Sequence, residues 1–195
     1  MEAKKSLVAG VDEVGKGCLF GPVFAGAVIL SKENESNLLD LGLKDSKKLS
    51  HRKRRNLVPL IKKNSIAWSL GQASAREIDL IGIREATEKA IIRALEKFTS
   101  PPNLILVDGI LPIRLWSGEQ KTQIRGESYF ASIAAASVLA KETRDDLMKR
   151  LSPKYNLYEI EKNKGYGTEN HRKNLIKAGL TKLHRKTFLS RLEIT

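Results

Sequence analysis

The sequence predicts an α/β protein with a mixed five-stranded sheet flanked by helices, followed by a small helical C-terminal segment. Five short stretches with the composition of strands are bounded by turn residues. The tight Gly21-Pro22 connection between the first two strands predicts an antiparallel pair. A helical pattern over residues 83–98 precedes the fourth strand and predicts a crossover, so the fourth strand can run parallel to the first.

The first two strands are the most apolar part of the N-terminal half. Residues 7–11 have the length and the valine and leucine content of a buried strand, and residues 23–30 follow the turn as the second strand. Residues 31–43 are polar, which predicts irregular or partly helical structure. Ser50 is suited to begin a helix that continues to about residue 63, because a serine hydroxyl can accept hydrogen bonds from the first turn.

The third and fourth strands enclose the crossover. Residues 65–73 predict the third strand, and Ser74 opens a helical stretch that Gly82 interrupts. Apolar residues then recur at a spacing close to 3.6 over residues 83–98, as expected of a helix that packs on a sheet. A proline pair ends this helix, and residues 103–108 predict the fourth strand.

The last strand and the longest helix follow an excursion over residues 109–119. Residues 121–125 predict the short final strand, and residues 128–150 predict a helix whose alanines allow close approach to the sheet. The remainder of the chain is basic and partly helical. Within it, Thr168 is suited to cap a helix that runs to about residue 178.

Two of the predicted strands lead into acidic residues. The first ends in Asp12 and Glu13, which precede a glycine turn around Lys16, and the fourth ends in Asp108. Because these strands can be parallel neighbours, their carboxylates should meet at one edge of the sheet. Carboxylate oxygens are the ligands that Mg²⁺ and Mn²⁺ prefer, so the pattern predicts a site for a hard cation. An acidic strand end with a structural glycine turn would explain Gly15, but not the second site.

The charge of the chain favours a polyanionic partner. Lys and Arg number 35 against 22 acidic residues, which gives a formal charge of +13 and a sequence pI near 9.9. Residues 44–55 contain seven basic residues and one acid, and residues 162–191 contain nine and one. A solvated helix face would account for one such run. Two runs beside an acidic metal site favour nucleic acid, with an affinity that falls as salt rises.

The composition also argues against other classes of protein. A hydrophobic content of 41% with 29% charged residues is typical of a folded globular protein. The apolar residues 23–30 are too few to span a membrane, and the N-terminus lacks the pattern of a signal peptide, so a cytoplasmic protein is expected. The single Cys18 permits neither an intramolecular disulfide nor a multi-thiolate zinc site.

Six sequence blocks resemble those of bacterial type 2 ribonuclease H, also called ribonuclease HII, in order and spacing. They are GVDEVGKGCLFGPVFAGAVIL, LKDSKKLS, LILVDGI, SIAAASVLAKETRD, NKGYGTENH and LHRKTF. The resemblance covers nearly the whole chain and implies the ribonuclease H-like fold, with residues 1–150 as the catalytic domain and residues 151–195 packed on it. It implies an endonuclease that hydrolyses the RNA strand of RNA–DNA hybrids and cleaves at ribonucleotides embedded in duplex DNA, leaving 3′-hydroxyl and 5′-phosphate ends. A monomer is expected.

The resemblance also implies a four-carboxylate site for two divalent ions, Mn²⁺ or Mg²⁺. Asp12, Glu13 and Asp108 match the first three carboxylates, and the Arg-Asp pair in the fourth block places the last on Asp145. Asp12 is expected to bridge the ions, with Glu13 and Asp108 on opposite sides and Asp145 completing the shell of the second ion. Two ions of this kind can generate the nucleophile from water and stabilise the leaving oxygen.

Helical spacing alone does not decide which aspartate of the long helix faces inward. Asp145 falls near Lys141 and Asp146 falls near Glu142, so both phases are compatible with the pattern. With Asp145 chosen by the resemblance, Glu142 and Asp146 are expected to be exposed.

The family's substrate contacts map onto two glycine-framed loops and one lysine. Gly15, Lys16 and Gly17 match a Gly-Arg-Gly turn whose backbone reaches the RNA 2′-hydroxyl, the group that distinguishes RNA from DNA. Tyr166 matches a Gly-Tyr-Gly tyrosine that packs on the sugar of the adjoining deoxynucleotide. Lys47 resembles a lysine that lines the substrate, with a solvated surface side chain as the alternative.

The chain departs from the family pattern at two positions. Lys16 replaces arginine and lacks the planar fork that holds a phosphate bidentately, which puts the preference for an RNA–DNA junction in doubt. Glu127 stands where aspartate is more frequent. His171 and His184 lie in the basic region, either on the phosphate side or in a structural role, and neither is assigned to catalysis.

Two other classes of protein are weighed against this interpretation. A type 3 ribonuclease H shares the carboxylates but carries an added N-terminal domain, which is not expected here because the first strand begins near Leu7. A non-catalytic protein that binds RNA–DNA duplexes would need the basic runs without the four acids.

Overall fold

The computed structural model describes residues 6–189 and has a five-stranded mixed sheet in the order β3-β2-β1-β4-β5. The strand β2 pairs antiparallel with β1 and β3, whereas β4 runs parallel to β1 and β5. This confirms the predicted class and the parallel neighbours β1 and β4. The strands are β1 (Val8–Val14), β2 (Val23–Ile29), β3 (Ala67–Ala73), β4 (Leu104–Asp108) and β5 (Glu119–Gln123).

The helices agree with the predicted pattern. They are α1 (Lys32–Asp40), α2 (His51–Asn64), α3 (Ala75–Leu95), α4 (Ala131–Leu151), α5 (Ile160–Asn163) and α6 (Glu169–Ala178). The hydroxyls of Ser50, Ser74 and Thr168 accept hydrogen bonds from the first turns of α2, α3 and α6, as predicted. Gly82 interrupts α3 with a φ of 79°, a conformation that favours glycine.

Several boundaries differ from the sequence prediction. The strand β1 extends to Val14, beyond the predicted end at residue 11, and α3 ends at Leu95 instead of residue 98. The final strand runs over Glu119–Gln123, two residues earlier than predicted, because its pairing with β4 sets its extent and its polar residues carry little pattern of their own. The helix α4 begins at Ala131, since Gly126–Ser128 forms a separate 3₁₀ turn in front of it.

The helices cover both faces of the sheet. Buried residues of α3 pack with Ala9, Val11 and Ala27 on one face, and those of α1, α2 and α4 pack around Val28 on the other. A third cluster, which includes Phe20, joins the segment after β1 to the C-terminal helices. The segment that follows β1 therefore has the C-terminal helices beside it. The division at residue 150 stays a prediction, and residues 190–195 lie outside the described part.

No helix in the described part of the chain combines the length and the apolar character needed to cross a membrane.

Close contact between the helices and the sheet depends on glycine. A β-carbon added at Gly26 would overlap the carbonyl oxygen of Ala136 in α4, and one at Gly71 would overlap that of Ala90 in α3. The predicted close approach of the alanine-rich helix is therefore present. The sheet permits it because the facing strand positions are glycines, which have no side chain.

Replacing Gly26 with alanine should destabilise the protein by about 1–3 kcal/mol, because the added methyl group pushes α4 away from a packed sheet. Urea unfolding would measure the loss. Gly17→Ala is the matched control, since no atom lies within 4 Å of a β-carbon there. Equal unfolding free energies for the two variants would contradict the prediction.

Candidate active site

Two carboxylates meet at one edge of the sheet because β1 and β4 are parallel and in register. Val11 pairs with Val107, so Asp12 and Asp108 follow side by side. Asp12 is only 5% exposed, whereas Glu13 and Asp108 are partly buried. Burial raises the pKa of Asp12 well above its usual value, and the charges of Glu13 and Asp108 add to this effect. Acidic side chains are thus brought together where the sequence predicted them, and their proximity disfavours the ionised form of Asp12.

Backbone amides orient two of these carboxylates. The N–H of Glu13 donates to Oδ1 of Asp12 over 2.7 Å, and the N–H of Gly126 donates to Oδ1 of Asp108 over 2.6 Å. Each carboxylate keeps its second oxygen free of these bonds.

The helix α4 contributes three residues spaced four apart, which places them on one face. Ser137 hydrogen bonds to Asp12, and one turn later Lys141 contacts Asp145 with Nζ 2.9 Å from Oδ1. Asp145 is buried and Asp146 is exposed. The structure therefore places the aspartate selected by the resemblance on the inner side of the helix.

The expected exposure of Glu142 is wrong. Its side chain is buried where α2 crosses α4, with Oε1 2.6 Å from Nε of Arg54 and Oε2 3.1 Å from Nδ1 of His51. Contact between two helices buries this residue, and helical spacing within α4 carries no information about that contact. Asp146 is exposed as expected.

Lysines pair with two of the candidate ligands. Nζ of Lys16 lies 2.7 Å from Oε1 of Glu13, and Lys141 holds Asp145 as described. Within residues 6–189, no group of three or more acidic, histidine or cysteine side chains is close enough to hold a metal ion. The donor set nonetheless suits a hard divalent cation, because Asp12 is buried beside other acids and its carboxylate bonds to no lysine or arginine in that range.

Glu127 is a site residue whose environment the sequence did not predict. It is buried, and its Oε1 lies 2.9 Å from Nζ of Lys47, while Oε2 accepts from N and Oγ of Ser46 over 3.3 Å each. Its charge adds to the potential that raises the pKa of both Asp12 and Asp108, after the larger effect of burial. The only signal in the sequence is the glutamate in place of the more frequent aspartate.

Lys47 reaches the acidic edge through this glutamate. Its side chain is exposed along its length, but its amine is fixed by Glu127, and this hydrogen bond is the main reason that the pKa of Lys47 is raised. The loop that carries Lys47 is therefore held against the carboxylates.

The turn after β1 is built around Gly15, whose φ of 89° favours glycine. A β-carbon at this position would overlap Nε of Arg144. Arg144 and Arg185 are fully buried and donate to backbone carbonyls around the turn. The acceptors of Arg144 are Phe20, Pro22 and Lys164, and those of Arg185 are Lys16 and Gly21.

One basic residue of the run 162–191 does not face a polyanion as the sequence predicts. Arg185 is fully buried and supports the turn from inside the protein. Six of the seven basic residues in the run 44–55 are exposed, with Arg54 only partly so. Arg191 lies outside the described residues.

Tyr166 is positioned against the same turn. It forms an isolated antiparallel bridge with Cys18, and the preceding Gly165 accepts a backbone hydrogen bond from Leu19 over 2.8 Å. Tyr166 is 39% exposed, and Nζ of Lys141 lies 6.0 Å from the centroid of its ring. The structure thus brings Tyr166 near the lysine that holds Asp145, on one side of the predicted substrate turn.

The two histidines of the basic region are structural. Nδ1 of His171 lies 2.9 Å from the carbonyl oxygen of Tyr166, and Nε2 lies 3.3 Å from Nε2 of His184. Both rings are buried, and burial, assisted by His171, lowers the pKa of His184 to about 4. Of the two alternatives raised by the sequence, the structure supports the structural role, in which the pair holds the tyrosine loop.

Comparisons with known proteins agree with this architecture. The family model "Ribonuclease HII" matches residues 9–192. A curated ribonuclease HII from Prochlorococcus marinus strain NATL1A is 81% identical over 194 residues, with 100% of each chain covered. The ribonuclease H2 of Pyrococcus horikoshii has a TM-score of 0.80 at 26% identity, with 93% of each chain covered. A ribonuclease HII of Archaeoglobus fulgidus, solved in a complex with PCNA, has a TM-score of 0.73 at 27% identity over 91% of each chain.

Proposed function

This chain belongs to the ribonuclease HII family, and we propose that Asp12, Glu13, Asp108 and Asp145 form the site at which it hydrolyses RNA. The activity of the family is endonucleolytic cleavage of RNA in RNA–DNA hybrids. The observation that supports the site most directly is the burial of Asp12 beside other acids, at the position where the parallel strands β1 and β4 bring it next to Asp108.

Enzymes of this family use a divalent metal, and we propose that this protein binds two ions, either Mg²⁺ or Mn²⁺. Asp12, Glu13, Asp108 and Asp145 would hold them, with Asp12 as the ligand common to both. Such ions would activate the attacking water and stabilise charge on the leaving oxygen. Backbone N–H groups of the chain orient the carboxylates of Asp12 and Asp108 by hydrogen bonding.

Lys16 and Lys141 neutralise two of the proposed ligands when no ion is bound. Their amines contact Glu13 and Asp145 directly. A divalent cation and a lysine amine would therefore compete for the same carboxylate oxygens, and metal binding would free the lysines for other partners.

Substrate recognition is proposed for the turn at Gly15, Lys16 and Gly17, together with Tyr166 and Lys47. The described residues offer no hydrogen-bond partner to the backbone N–H of Lys16 or Gly17, so both donors are available to a 2′-hydroxyl. Arg185 donates to the carbonyl of Lys16, and because this carbonyl shares a planar peptide with the N–H of Gly17, the bond presets the direction of that donor. The partly exposed ring of Tyr166 can then pack on the neighbouring sugar.

The test of this function is cleavage of duplex DNA containing a single ribonucleotide, with and without Mg²⁺ or Mn²⁺. We expect cleavage only with a divalent ion, with products bearing 3′-hydroxyl and 5′-phosphate ends. An all-DNA duplex of the same sequence serves as the control and should stay intact. Tight binding without cleavage under any metal condition would instead support the non-catalytic alternative.

Lys16→Arg should increase the preference for a single ribonucleotide over a uniform hybrid, by roughly several-fold. Lysine is a point charge on a flexible stem, and here its amine also pairs with Glu13, so it holds an adjacent phosphate less rigidly than an arginine fork. The rate ratio for the two substrates measures the effect. Tyr166→Ala should lower this ratio in the same assay. An unchanged or lower ratio for Lys16→Arg would make lysine and arginine equivalent at this position.

A further inference from the structure

A cleft of about 230 Å³ adjoins the acidic edge on the face of the sheet covered by α3. Glu13, Lys16 and Asp108 line it on the side of the carboxylates, and Arg84 and Glu88 line it from α3. Residues 111–113 of the loop after β4 complete its wall. Arg84 therefore lines the same cleft as two of the proposed metal ligands, Glu13 and Asp108.

Glu88 is buried and fixes two arginines, Arg84 in the wall of this cleft and Arg114, which directly follows the lining residue Ile113. Its Oε1 lies 3.1 Å from Nε of Arg84 and 3.0 Å from Nε of Arg114, and its Oε2 lies 3.2 Å from Nε of Arg114. Both bonds use Nε, and within residues 6–189 the terminal nitrogens of neither arginine donate a hydrogen bond. The arginine side chains are 49% and 51% exposed.

This arrangement carries one net positive charge and two oriented donor groups. A carboxylate shared between two guanidinium groups restricts their rotation, so less conformational freedom is lost when they bind a ligand. The free edge of a guanidinium matches the geometry of two phosphate oxygens. The cleft therefore offers an anion contact next to a site made of carboxylates, which by themselves repel phosphate.

Lys47 lies on the other face of the sheet. It is held by Glu127, which belongs to the turn in front of α4, whereas Arg84 belongs to α3. Since α3 and α4 cover opposite faces, the acidic edge lies between the two basic positions. A double-stranded polyanion laid across this edge would contact both.

The geometry points to a phosphate-binding site at Arg84 and Arg114, held in place by Glu88, that takes a backbone phosphodiester of the duplex substrate. This inference rests on the proposed function, because it assigns a further contact to the same nucleic acid. In this proposal Glu88 positions the two arginines, and the arginines contact the phosphodiester directly.

The experiment is hybrid binding by fluorescence anisotropy in EDTA, over a series of salt concentrations. Arg84→Gln and Arg114→Gln should each weaken binding by roughly three- to tenfold and reduce the slope of log K against log salt by about one. The double variant should reduce the slope by about two. Arg93→Gln is the matched control, because Arg93 lies on the same helix, is 44% exposed and pairs with Glu77 away from the cleft. It should bind as wild type.

Arg114→Lys separates phosphate contact from neutralisation of Glu88. Lysine keeps a positive charge beside Glu88, so the melting temperature and the salt slope should stay near wild type, while affinity falls with the loss of the fork. If the glutamine variants melt earlier but bind with unchanged affinity and slope, the arginines only neutralise Glu88 and the proposal is wrong. An equal loss in Arg93→Gln would also overturn it, because net charge alone would then explain binding.

Binding in EDTA involves no cleavage, so these outcomes do not depend on the assignment of the metal ligands. If the protein fails to cleave but the arginine variants behave as expected, the proposed function fails and the phosphate site remains. If it cleaves normally and the arginine variants bind as wild type, the phosphate site fails alone.

Discussion

Replacing Asp12 with asparagine should reduce cleavage of an RNA–DNA hybrid by roughly a thousandfold or more. Divalent ions supply several kcal/mol of charge stabilisation in the transition state, and each 1.36 kcal/mol corresponds to about a factor of ten in rate. Asparagine has nearly the same shape but lacks the negative charge that a bridging ligand provides. Initial rates under saturating Mg²⁺ or Mn²⁺ measure the loss.

The fold of this variant should remain intact. Burial and neighbouring acids disfavour the ionised form of Asp12, so removing its charge should leave the melting temperature unchanged or higher. Hybrid affinity in EDTA should also be close to wild type, which separates loss of catalysis from loss of binding. A rate near that of wild type would remove Asp12 from the metal site.

Asp145→Asn should reduce cleavage by about a hundredfold or more, whereas Asp146→Asn should change it by less than about twofold. Asp145 is buried beside Lys141 on the inner face of α4, and Asp146 is exposed. Adjacent positions on one helix make the second variant a control for expression, net charge and helix stability. Rates at several metal concentrations measure both variants.

Metal dependence adds a second measurement to this comparison. If Asp145 completes the shell of one ion, Asp145→Asn should need more metal to reach its maximal rate, and Asp146→Asn should not. A larger loss of activity in Asp146→Asn would overturn the assignment, despite the burial of Asp145.

The sequence predicted those features that depend on neighbouring residues along the chain. Apolar runs predicted the first, second and fourth strands, and hydroxyl caps at Ser50, Ser74 and Thr168 predicted the starts of three helices. The crossover predicted the parallel pairing of β1 and β4. From that pairing, the proximity of Asp12 and Asp108 followed. Local signals therefore sufficed for the framework and for the two strand-borne aspartates.

Charged residues that meet across distant parts of the chain were not predictable in this way. Glu127 and Lys47 are 80 positions apart, and Glu142 and Arg54 are 88 apart. A buried ion pair has no periodicity, and each partner alone has the composition of a surface residue. The burial of Arg185, one member of the basic run 162–191, was not predictable for the same reason, because its acceptors are carbonyl oxygens of the turn at the other end of the chain.

The buried arginines also determine when this protein can acquire its substrate turn during synthesis. Arg185 contacts Lys16 across 169 positions, and Arg144 ties Phe20 to Lys164. Once the residues up to Gln123, the end of β5, have left the ribosome, Asp12 and Asp108 are exposed, but Arg144 and Arg185, which fix the turn between residues 15 and 22, are not. Contacts between the two ends of a chain are among the last to form, since the intervening loop must first be closed. The nascent chain can therefore complete its sheet well before it acquires the ability to recognise a ribonucleotide, and specificity appears only when the last segment has docked.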